Sequence, residues 1–477
     1  MAYSDYEAVI GLEIHAQLFT KSKIFSTAST EFGEGDNTQV TPVCAGMPGT
    51  LPVLNKGAVE LAVKTGLALH CDINKKSVFS RKQYFYPDLP KGYQISQYDL
   101  PICSNGYVEF YLDGKLRKVN LERAHMEEDA GKSTHHGDYT LVNLNRAGVP
   151  LLEIVSGPEM RSPEEAAEYS RAVRQILRYI GVCDGNLEEG SMRCDCNVSV
   201  RKKGVEKLGT KVELKNINSF KFIEKAIEYE IQRQIDTIEG GEKIVQETRL
   251  YDSTKNKTFS MRSKEEAQDY RYFPDPDLLP ITLDAAWIES IKESLPELPL
   301  AKSQRFQNDY GLAELDANVL TQEKEMSDYY EEVAKNSGNP KIAANWMMAE
   351  LMRELKDNKV EVQNSPVTAT ALAELIQLID KGTISGKMAK QVFAEMWTTK
   401  DKPSNLIKKL GLEQITDESA IAKIVDDVIA QNAEQVVQYR SGKEKVFGFF
   451  VGQVMKLSKG QANPDSVNKL LMEKLKE

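Results

Sequence analysis

The chain has 477 residues, a formal net charge of −10, 41% hydrophobic and 28% charged residues. This composition excludes wholesale disorder, and the length predicts about two to four domains. No run approaches the roughly 20 apolar residues of a membrane span, and no basic segment opens a signal peptide, so we expect a cytoplasmic protein without a membrane partner.

The first predicted element is a strand that carries two ionisable side chains. Glu13 and His15 occupy alternate positions, so they project from one face of the strand about 7 Å apart. The intervening positions are apolar and predict a buried opposite face: Ile10, Leu12, Ile14, Ala16 and Leu18.

Two later runs repeat this arrangement. Glu153 lies within the apolar run 151–155, where a carboxylate is costly to desolvate unless a cation or a metal meets it. In the run 192–198, Arg193, Asp195 and Asn197 alternate with apolar residues. The three runs predict a sheet with one face on a core and the other face building a charged site, which is typical of an enzyme.

The helix signals place the domains. Residues 57–69 and 220–238 predict helices, and another begins at the N-cap Ser162 and ends at Gly181. The rest of the region 1–295 alternates strand-like runs with turns. The fold class is therefore predicted as α+β, with an N-terminal domain on a mainly antiparallel sheet followed by two all-α domains. Their predicted bounds are 1–295, 296–402 and 403–477.

An acidic segment lies at residues 125–129, where His125 is followed by the carboxylates Glu127, Glu128 and Asp129. The segment is either a solvated acidic turn or, set beside Glu13, His15 and Glu153, a source of oxygen ligands for Mg²⁺. The next residues, 131–134, match the end of a phosphate-binding P-loop, but Met126 stands where that motif needs a glycine.

Cysteine spacing gives little support for a metal site. Cys194 and Cys196 could be half of a thiolate site, yet strand alternation favours two small side chains facing the core. All five histidines lie at or before His136 and all six cysteines at or before Cys196. Metal or acid–base chemistry is therefore expected in the N-terminal part of the chain.

Two basic segments could bind charged ligands. Residues 81–93 mix cations with tyrosines, which suits phosphate binding and base stacking, although a basic surface loop has the same composition. Near the C-terminus, a Gly-Lys turn at 441–445 leads into a helix with a basic end. That pattern suits backbone recognition of a folded RNA, or is simply a solvated helix face.

Several longer motifs point to one family. They are Val9–His15, Tyr84–Gln97, His125–Lys132, Asp269–Asp277 and Gly448–Lys456. With these motifs the chain resembles the B subunits of bacterial-type aspartyl/glutamyl-tRNA amidotransferases over essentially its whole length.

The resemblance implies a division of labour among subunits. A partner A subunit releases ammonia from glutamine, and a small C subunit helps to hold A and B together. The B subunit uses ATP and Mg²⁺ to phosphorylate the side-chain carboxyl of Asp or Glu mischarged on tRNA(Asn) or tRNA(Gln), and ammonia then displaces the phosphate. It also implies a cradle-like kinase domain, a helical linker domain and a tail domain that binds tRNA.

The same resemblance implies site residues. Metal-site positions correspond to Glu13, His15, Glu128 and Glu153, with Glu127 as the alternative to Glu128. Nucleotide-loop positions correspond to Lys82, Tyr84 and Lys91, and catalytic positions to Lys82, Arg193 and Asp195. In the tail, tRNA binding is expected at Lys443, Lys445, Lys456 and Lys459.

One departure from the family concerns zinc. Many members carry four cysteines in a zinc knuckle, and the corresponding positions here are Ser26, Ala28, Thr41 and Cys44. We therefore expect no structural zinc. Two other hypotheses stay open, a non-catalytic tRNA-binding subunit and an ammonia-dependent ligase for a free amino acid, as does the identity of the mischarged tRNA.

Overall fold

The computed structural model describes residues 5–263, 270–412, 417–458 and 461–476. It has two compact units, Met1–Ala301 and Lys302–Glu477. The first unit is rich in sheet and the second contains helices, which confirms the predicted α+β class. The second unit contains two separate buried clusters, within residues 306–407 and 421–475. The predicted three-domain division stays a prediction.

The strands of the first unit lie between residues 6 and 282. They are β1 (Tyr6–Gln17), β2 (Asp72–Ile73), β3 (Lys76–Ser77), β4 (Ser80–Gln83), β5 (Tyr93–Ser96), β6 (Cys103–Ser104), β7 (Tyr107–Leu112), β8 (Lys115–Glu128), β9 (Lys132–His136), β10 (Tyr139–Asn143), β11 (Pro150–Ser156), β12 (Met192–Lys202), β13 (Val212–Lys215), β14 (Glu247–Asp252), β15 (Lys257–Ser263), β16 (Phe273–Pro274) and β17 (Ile281–Thr282). In the described residues of the first unit, four helices accompany them: α1 (Lys56–Ala68), α2 (Pro163–Tyr179), α3 (Phe220–Glu239) and α4 (Ala285–Glu293).

A ten-stranded sheet forms the centre of the first unit. Nine strands follow the order β15-β14-β13-β12-β1-β11-β8-β6-β2, and β7 pairs with β8. Among the described strand pairs, only β13 and β14 run parallel. A separate sheet has the order β16-β4-β5, so a segment beyond residue 270 pairs with strands near residue 80.

One face of the large sheet is the core. Its buried side chains include Leu12, Ile14, Leu152, Cys194 and Cys196, each at most 1% exposed. Apolar residues of α1, α2 and α3 belong to the same buried cluster. The prediction that both cysteines face the core is confirmed.

Local signals explain where the helices begin and end. Ser162 caps α2 by accepting a hydrogen bond from the Glu165 amide at 3.1 Å, and Pro163 suits the first turn. Gly181 follows the helix with φ +68°, a conformation that glycine adopts without strain. Ser219 caps α3 in the same way as Ser162.

Twelve further α-helices occupy the described part of the chain beyond residue 298. They are α5 (Pro299–Tyr310), α6 (Glu314–Leu320), α7 (Lys324–Ser337), α8 (Pro340–Trp346), α9 (Met352–Asn358), α10 (Ala369–Asp380), α11 (Gly386–Thr399), α12 (Pro403–Leu410), α13 (Glu418–Gln431), α14 (Ala433–Arg440), α15 (Phe447–Leu457) and α16 (Pro464–Lys474). A π-helical turn, Met347–Leu351, joins α8 to α9. In the described residues, no helix combines the length and apolar character needed to cross a membrane.

Candidate active site

The polar face of the large sheet gathers ionisable side chains from neighbouring strands. His15 on β1 is in register with Glu153 on β11 on one side and with Arg193 on β12 on the other. Glu153 is also opposite His125 on β8. Because side chains directly opposite each other lie close together, the register alone brings these four groups into one site.

Carboxylates and imidazoles meet at the centre of this face. Ligand atoms of His15, Glu127 and Glu153 all lie within 4.8 Å of one another. The Oε2 atom of Glu153 is 3.3 Å from Nε2 of both His15 and His125. His125 Nε2 is also 3.2 Å from Glu127 Oε1, to which the Ser96 hydroxyl donates at 2.8 Å. We call His15, His125, Glu127 and Glu153 the central cluster.

The charges of the central cluster support one another. Burial alone would lower the pKa of His125, but Glu153 and Glu127 raise it to about 9. Burial and the charge of Glu153 would raise the pKa of Glu127, but the His125 hydrogen bond and the Lys82 charge lower it to about 2. Burial would likewise raise the pKa of Glu153, but the two histidines hold it well below its ordinary value. The buried carboxylates of the cluster therefore stay ionised, and the imidazoles compensate their charge.

A second acidic group lies on the same face. Ligand oxygens of Glu13, Asp195 and Glu213 also lie within 4.8 Å of one another. Asn197 donates to Glu13 at 2.9 Å, and Lys215 pairs with Asp195 and, at 3.1 Å, with Glu213. Burial and the neighbouring Glu153 raise the pKa of Glu13. We call Glu13, Asp195 and Glu213 the second acidic group.

Glu128 occupies a different environment from Glu127. Its Oε1 pairs with Lys91 Nζ and accepts a hydrogen bond from the Ile95 amide at 2.9 Å. Adjacent residues of a strand project to opposite faces, which separates Glu128 from the central cluster. Of the predicted metal-site residues, the structure brings His15 and Glu153 together with Glu127, while Glu13 joins the second acidic group. The ligand set stays a prediction.

One of the predicted nucleotide residues, Tyr84, lies beside the ammonium group of another, Lys82. Lys82 Nζ is 5.9 Å from the ring centre of Tyr84 and 5.1 Å from that of Tyr270. Burial would lower the pKa of Lys82, but Glu127 and other nearby groups raise it. Lys82 therefore stays charged beside the central cluster. Lys91 is the partner of Glu128 and also lies 5.4 Å from the Tyr93 ring centre.

A further cation, Arg193, borders the polar face. Its Nη2 is 3.0 Å from Asp129 Oδ1, and Gln17 donates to the other oxygen of Asp129 at 2.8 Å. Burial would lower the pKa of Arg193, but Asp129 raises it. The Arg193 guanidinium group is thus paired with the Asp129 carboxylate. The sequence alone did not predict this pairing.

The four positions that correspond to a zinc knuckle lie in the first unit. The Cys44 thiol is 3.3 Å from the hydroxyls of both Ser26 and Thr41, whereas Ala28 offers only a buried methyl group. Lys23 Nζ lies 3.5 Å from Cys44 Sγ and donates to the Gln39 carbonyl at 2.8 Å. Hydroxyls and an ammonium thus surround the thiol.

The remaining candidate segments have simpler settings. Residues 132–136 form a strand of the β9–β10 hairpin, so they do not lead from a loop into a helix as a P-loop does. Lys443, Lys445 and Lys456 are exposed around the start and end of α15, and Lys459 lies outside the described residues. The tail assignment stays a prediction.

An apolar core under a face of clustered carboxylates, imidazoles and cations defines the active site of an enzyme. Known proteins agree with this class. Residues 8–289 match the GatB/GatE catalytic domain family, and residues 328–475 match the GatB domain family.

Full-length relatives give the same result. The B subunit of the aspartyl/glutamyl-tRNA(Asn/Gln) amidotransferase of Bdellovibrio bacteriovorus is 64% identical over 477 residues, covering 100% of both chains. The proteins of the same description from Thermodesulfovibrio yellowstonii and Geotalea daltonii are 57% and 56% identical, over 99% of this chain and 100% and 99% of theirs. The chain therefore belongs to the family of amidotransferase B subunits, which are components of an ATP-dependent ligase.

Proposed function

We propose that the chain activates the side-chain carboxyl of Asp or Glu carried by a mischarged tRNA. The γ-phosphoryl group of ATP is transferred to a carboxylate oxygen, which releases ADP and leaves an acyl phosphate. The nitrogen of ammonia then attacks the acyl carbon, phosphate leaves, and the loss of a proton gives the amide. The observation that carries the proposal is the central cluster beside the half-buried cation Lys82.

Mg²⁺ fits the acidic groups on the polar face. Within the central cluster, His15, Glu127 and Glu153 offer two carboxylates and an imidazole, and the second acidic group offers three carboxylates. Magnesium prefers oxygen ligands, so the carboxylates of Glu127, Glu153, Glu13 and Asp195 suit it better than His15 does. Bound Mg²⁺ would supply charge stabilisation to phosphate oxygens.

The cations of the chain have separate tasks in this proposal. Lys82 binds oxygens of the transferred phosphoryl group. Arg193, on β12, limits the movement of that phosphoryl group. Lys91 and Tyr84 contact the nucleotide. Because the ammonium and guanidinium groups are fixed before the substrate arrives, little reorganisation is needed as charge develops in the transition state.

The partners follow from the family. The names of the relatives describe the B subunit of an amidotransferase for Asp/Glu-tRNA(Asn/Gln), so we propose a glutaminase A subunit, a C subunit and a mischarged tRNA as partners. The exposed Lys443, Lys445 and Lys456 support contact of the tail with tRNA phosphates. We propose that residues 1–295 form the catalytic domain, residues 296–402 a helical linker domain and residues 403–477 the tail domain that binds tRNA.

We also propose that the chain binds no structural zinc. Zinc sites of this type need four strong ligands, and here one thiol faces two hydroxyls and an ammonium group. Lys23, which is 1% exposed, donates to backbone carbonyls of two loops, at Gln39 and Leu144. Its ammonium group holds these loops together by hydrogen bonds instead of a metal.

Reconstitution of the complex tests the function. The chain, the A and C subunits, ATP, glutamine and each mischarged tRNA are combined, and amide formation is measured. Glu153→Gln should lower kcat by about 10²–10³-fold, because it removes charge from the phosphoryl-transfer site. Glu7→Gln is the matched control, since Glu7 lies on β1 but pairs with Arg201 away from the cluster. Undiminished activity of Glu153→Gln would instead favour a non-catalytic tRNA-binding subunit.

A further inference from the structure

Two tyrosines reach Lys82 from a distant part of the sequence. Residues 270–274 carry Tyr270 and Tyr272 and end in the short strand β16, and we call them the tyrosine strand. The Gln83 amide donates to the Tyr270 carbonyl at 2.9 Å, and Phe273 pairs in register with Arg81. The strand thus lies along β4, the strand that carries Lys82.

The tyrosines enclose the Lys82 ammonium group. Tyr270 is edge-on to both Tyr84 and Tyr272, with ring centres 6.1 Å apart in each pair. Tyr272 also stacks on Tyr98, with ring centres 4.2 Å apart and planes within 6° of parallel. Aromatic faces attract an ammonium group and so limit the rotamers of the lysine that carries it. We call Tyr84, Tyr270 and Tyr272 the tyrosine wall, and this wall orients the Lys82 side chain.

Arg81 fixes the far end of the tyrosine strand. Its Nε donates to Asp275 Oδ2 at 2.8 Å, and its Nη2 donates to Asp277 Oδ2, also at 2.8 Å. The guanidinium group additionally lies 4.2 Å from the ring centre of Tyr93 on β5. One side chain therefore joins β4, β5 and the residues that follow the tyrosine strand.

Arg81 has no direct route to the central cluster. Arg81 and Lys82 are consecutive residues of β4, so their side chains project to opposite faces. Lys82 faces Glu127 and Glu153, whose charges raise its pKa, whereas the partners of Arg81 are Asp275 and Asp277. The contacts of Arg81 lead towards the reaction either through the tyrosine strand or through Tyr93, whose ring centre also lies 5.4 Å from Lys91 Nζ.

We propose that Arg81 is a positioning residue for phosphoryl transfer, which acts by anchoring the tyrosine strand so that Tyr270 and Tyr272 hold Lys82 over the central cluster. The inference rests on the proposed function of Lys82. A shift of a reacting or binding group by about 1 Å can cost about 10²-fold in rate, so loss of the anchor should affect kcat without removing any group that touches ATP.

The test compares variants in the reconstituted complex. The kcat and the KM for ATP are measured for Arg81→Gln, Arg81→Lys and Tyr270→Ala, together with the melting temperature of each chain. Arg201→Gln is the matched control, because Arg201 also has an 18% exposed side chain and donates from Nε to a carboxylate at 2.8 Å, but pairs with Glu7.

Arg81→Gln should lower kcat by about 10²-fold, and Arg81→Lys should recover part of this loss because one ammonium group can still contact one carboxylate. Adding Tyr270→Ala to Arg81→Gln should cost little more, since both changes release the same wall. Arg201→Gln should keep the parental kcat. If Arg81→Gln does not fold, Asp277→Asn removes one of the two anchoring contacts and gives the decisive measurement.

Two results would overturn the inference. One is a parental kcat in Arg81→Gln or, if that variant does not fold, in Asp277→Asn, while Lys82→Met is inactive. The other is an equal loss of kcat in Arg81→Gln and Arg201→Gln. An active Lys82→Met would instead contradict the proposed function itself, so the two failures are distinguishable.

Discussion

The central cluster predicts a specific pH dependence of stability in the purified chain without added metal. Folding raises the pKa of His125 from about 6.5 to about 9, so its charged form contributes stability that is fully present below pH 6.5 and is lost as pH rises through 9. The full difference corresponds to about 3 kcal/mol. Glu153 is a major source of this shift, so Glu153→Gln should remove a large part of it.

The assay is denaturant unfolding of the first unit's near-UV signal at pH 6 and pH 9.5 in the presence of a chelator. Glu153→Gln should lower the free energy of unfolding by about 2–3 kcal/mol more at pH 6 than at pH 9.5. Glu7→Gln again serves as the control. Its partner Arg201 stays charged over this range, so the cost of that substitution should be equal at both pH values.

A pH-independent cost of Glu153→Gln would refute this reasoning. It would mean that folding does not change the pKa of His125, and that the imidazoles do not compensate the charge of the buried carboxylates. NMR titration of the His125 ring provides a direct check, with a pKa near 9 expected in the parent chain and a lower value in the variant.

Three further outcomes are expected. Combined replacement of Lys443, Lys445 and Lys456 by alanine should weaken tRNA binding and reduce the slope of log K against log salt by about 1 for each phosphate that is no longer neutralised, and an unchanged slope would remove the tail from the interface. Leu152→Ala, at a fully buried position beside Glu153, should lower the free energy of unfolding by about 2–5 kcal/mol in denaturant titrations, and a smaller effect would contradict a close-packed core there. Ser162→Ala should cost about 1 kcal/mol in the same assay because the α2 cap is removed, whereas Ser162→Asp should largely retain it.

Strand alternation made much of the site predictable. A period of two placed Glu13 and His15 on one face of their strand, and Arg193 and Asp195 on one face of theirs, without any knowledge that the two strands pair. The buried cysteines and the capped helices followed from equally local signals. These features depend on residues only a few positions apart, where backbone geometry decides the outcome.

Register and long-range pairing were not predictable in this way. Glu127 and Glu128 are adjacent, and only the pairing of β8 with β11 and the position of Lys91 separate their roles. Glu213 entered the second acidic group because β13 lies beside β12. His125 contacts Glu153 because β8 lies beside β11. No local pattern encodes which strands become neighbours.

The order of the strands also has a consequence for biosynthesis. Glu13 and Asn197 are hydrogen-bonded although 184 positions separate them, and β1 lies between β11 and β12 in the sheet. During translation, β1 leaves the ribosome well before both of its neighbours, with its backbone amides unpaired and its apolar side chains uncovered. Until β12 has emerged, the charged face therefore lacks Arg193 and Asp195, and one edge of β1 can pair with strands of other chains.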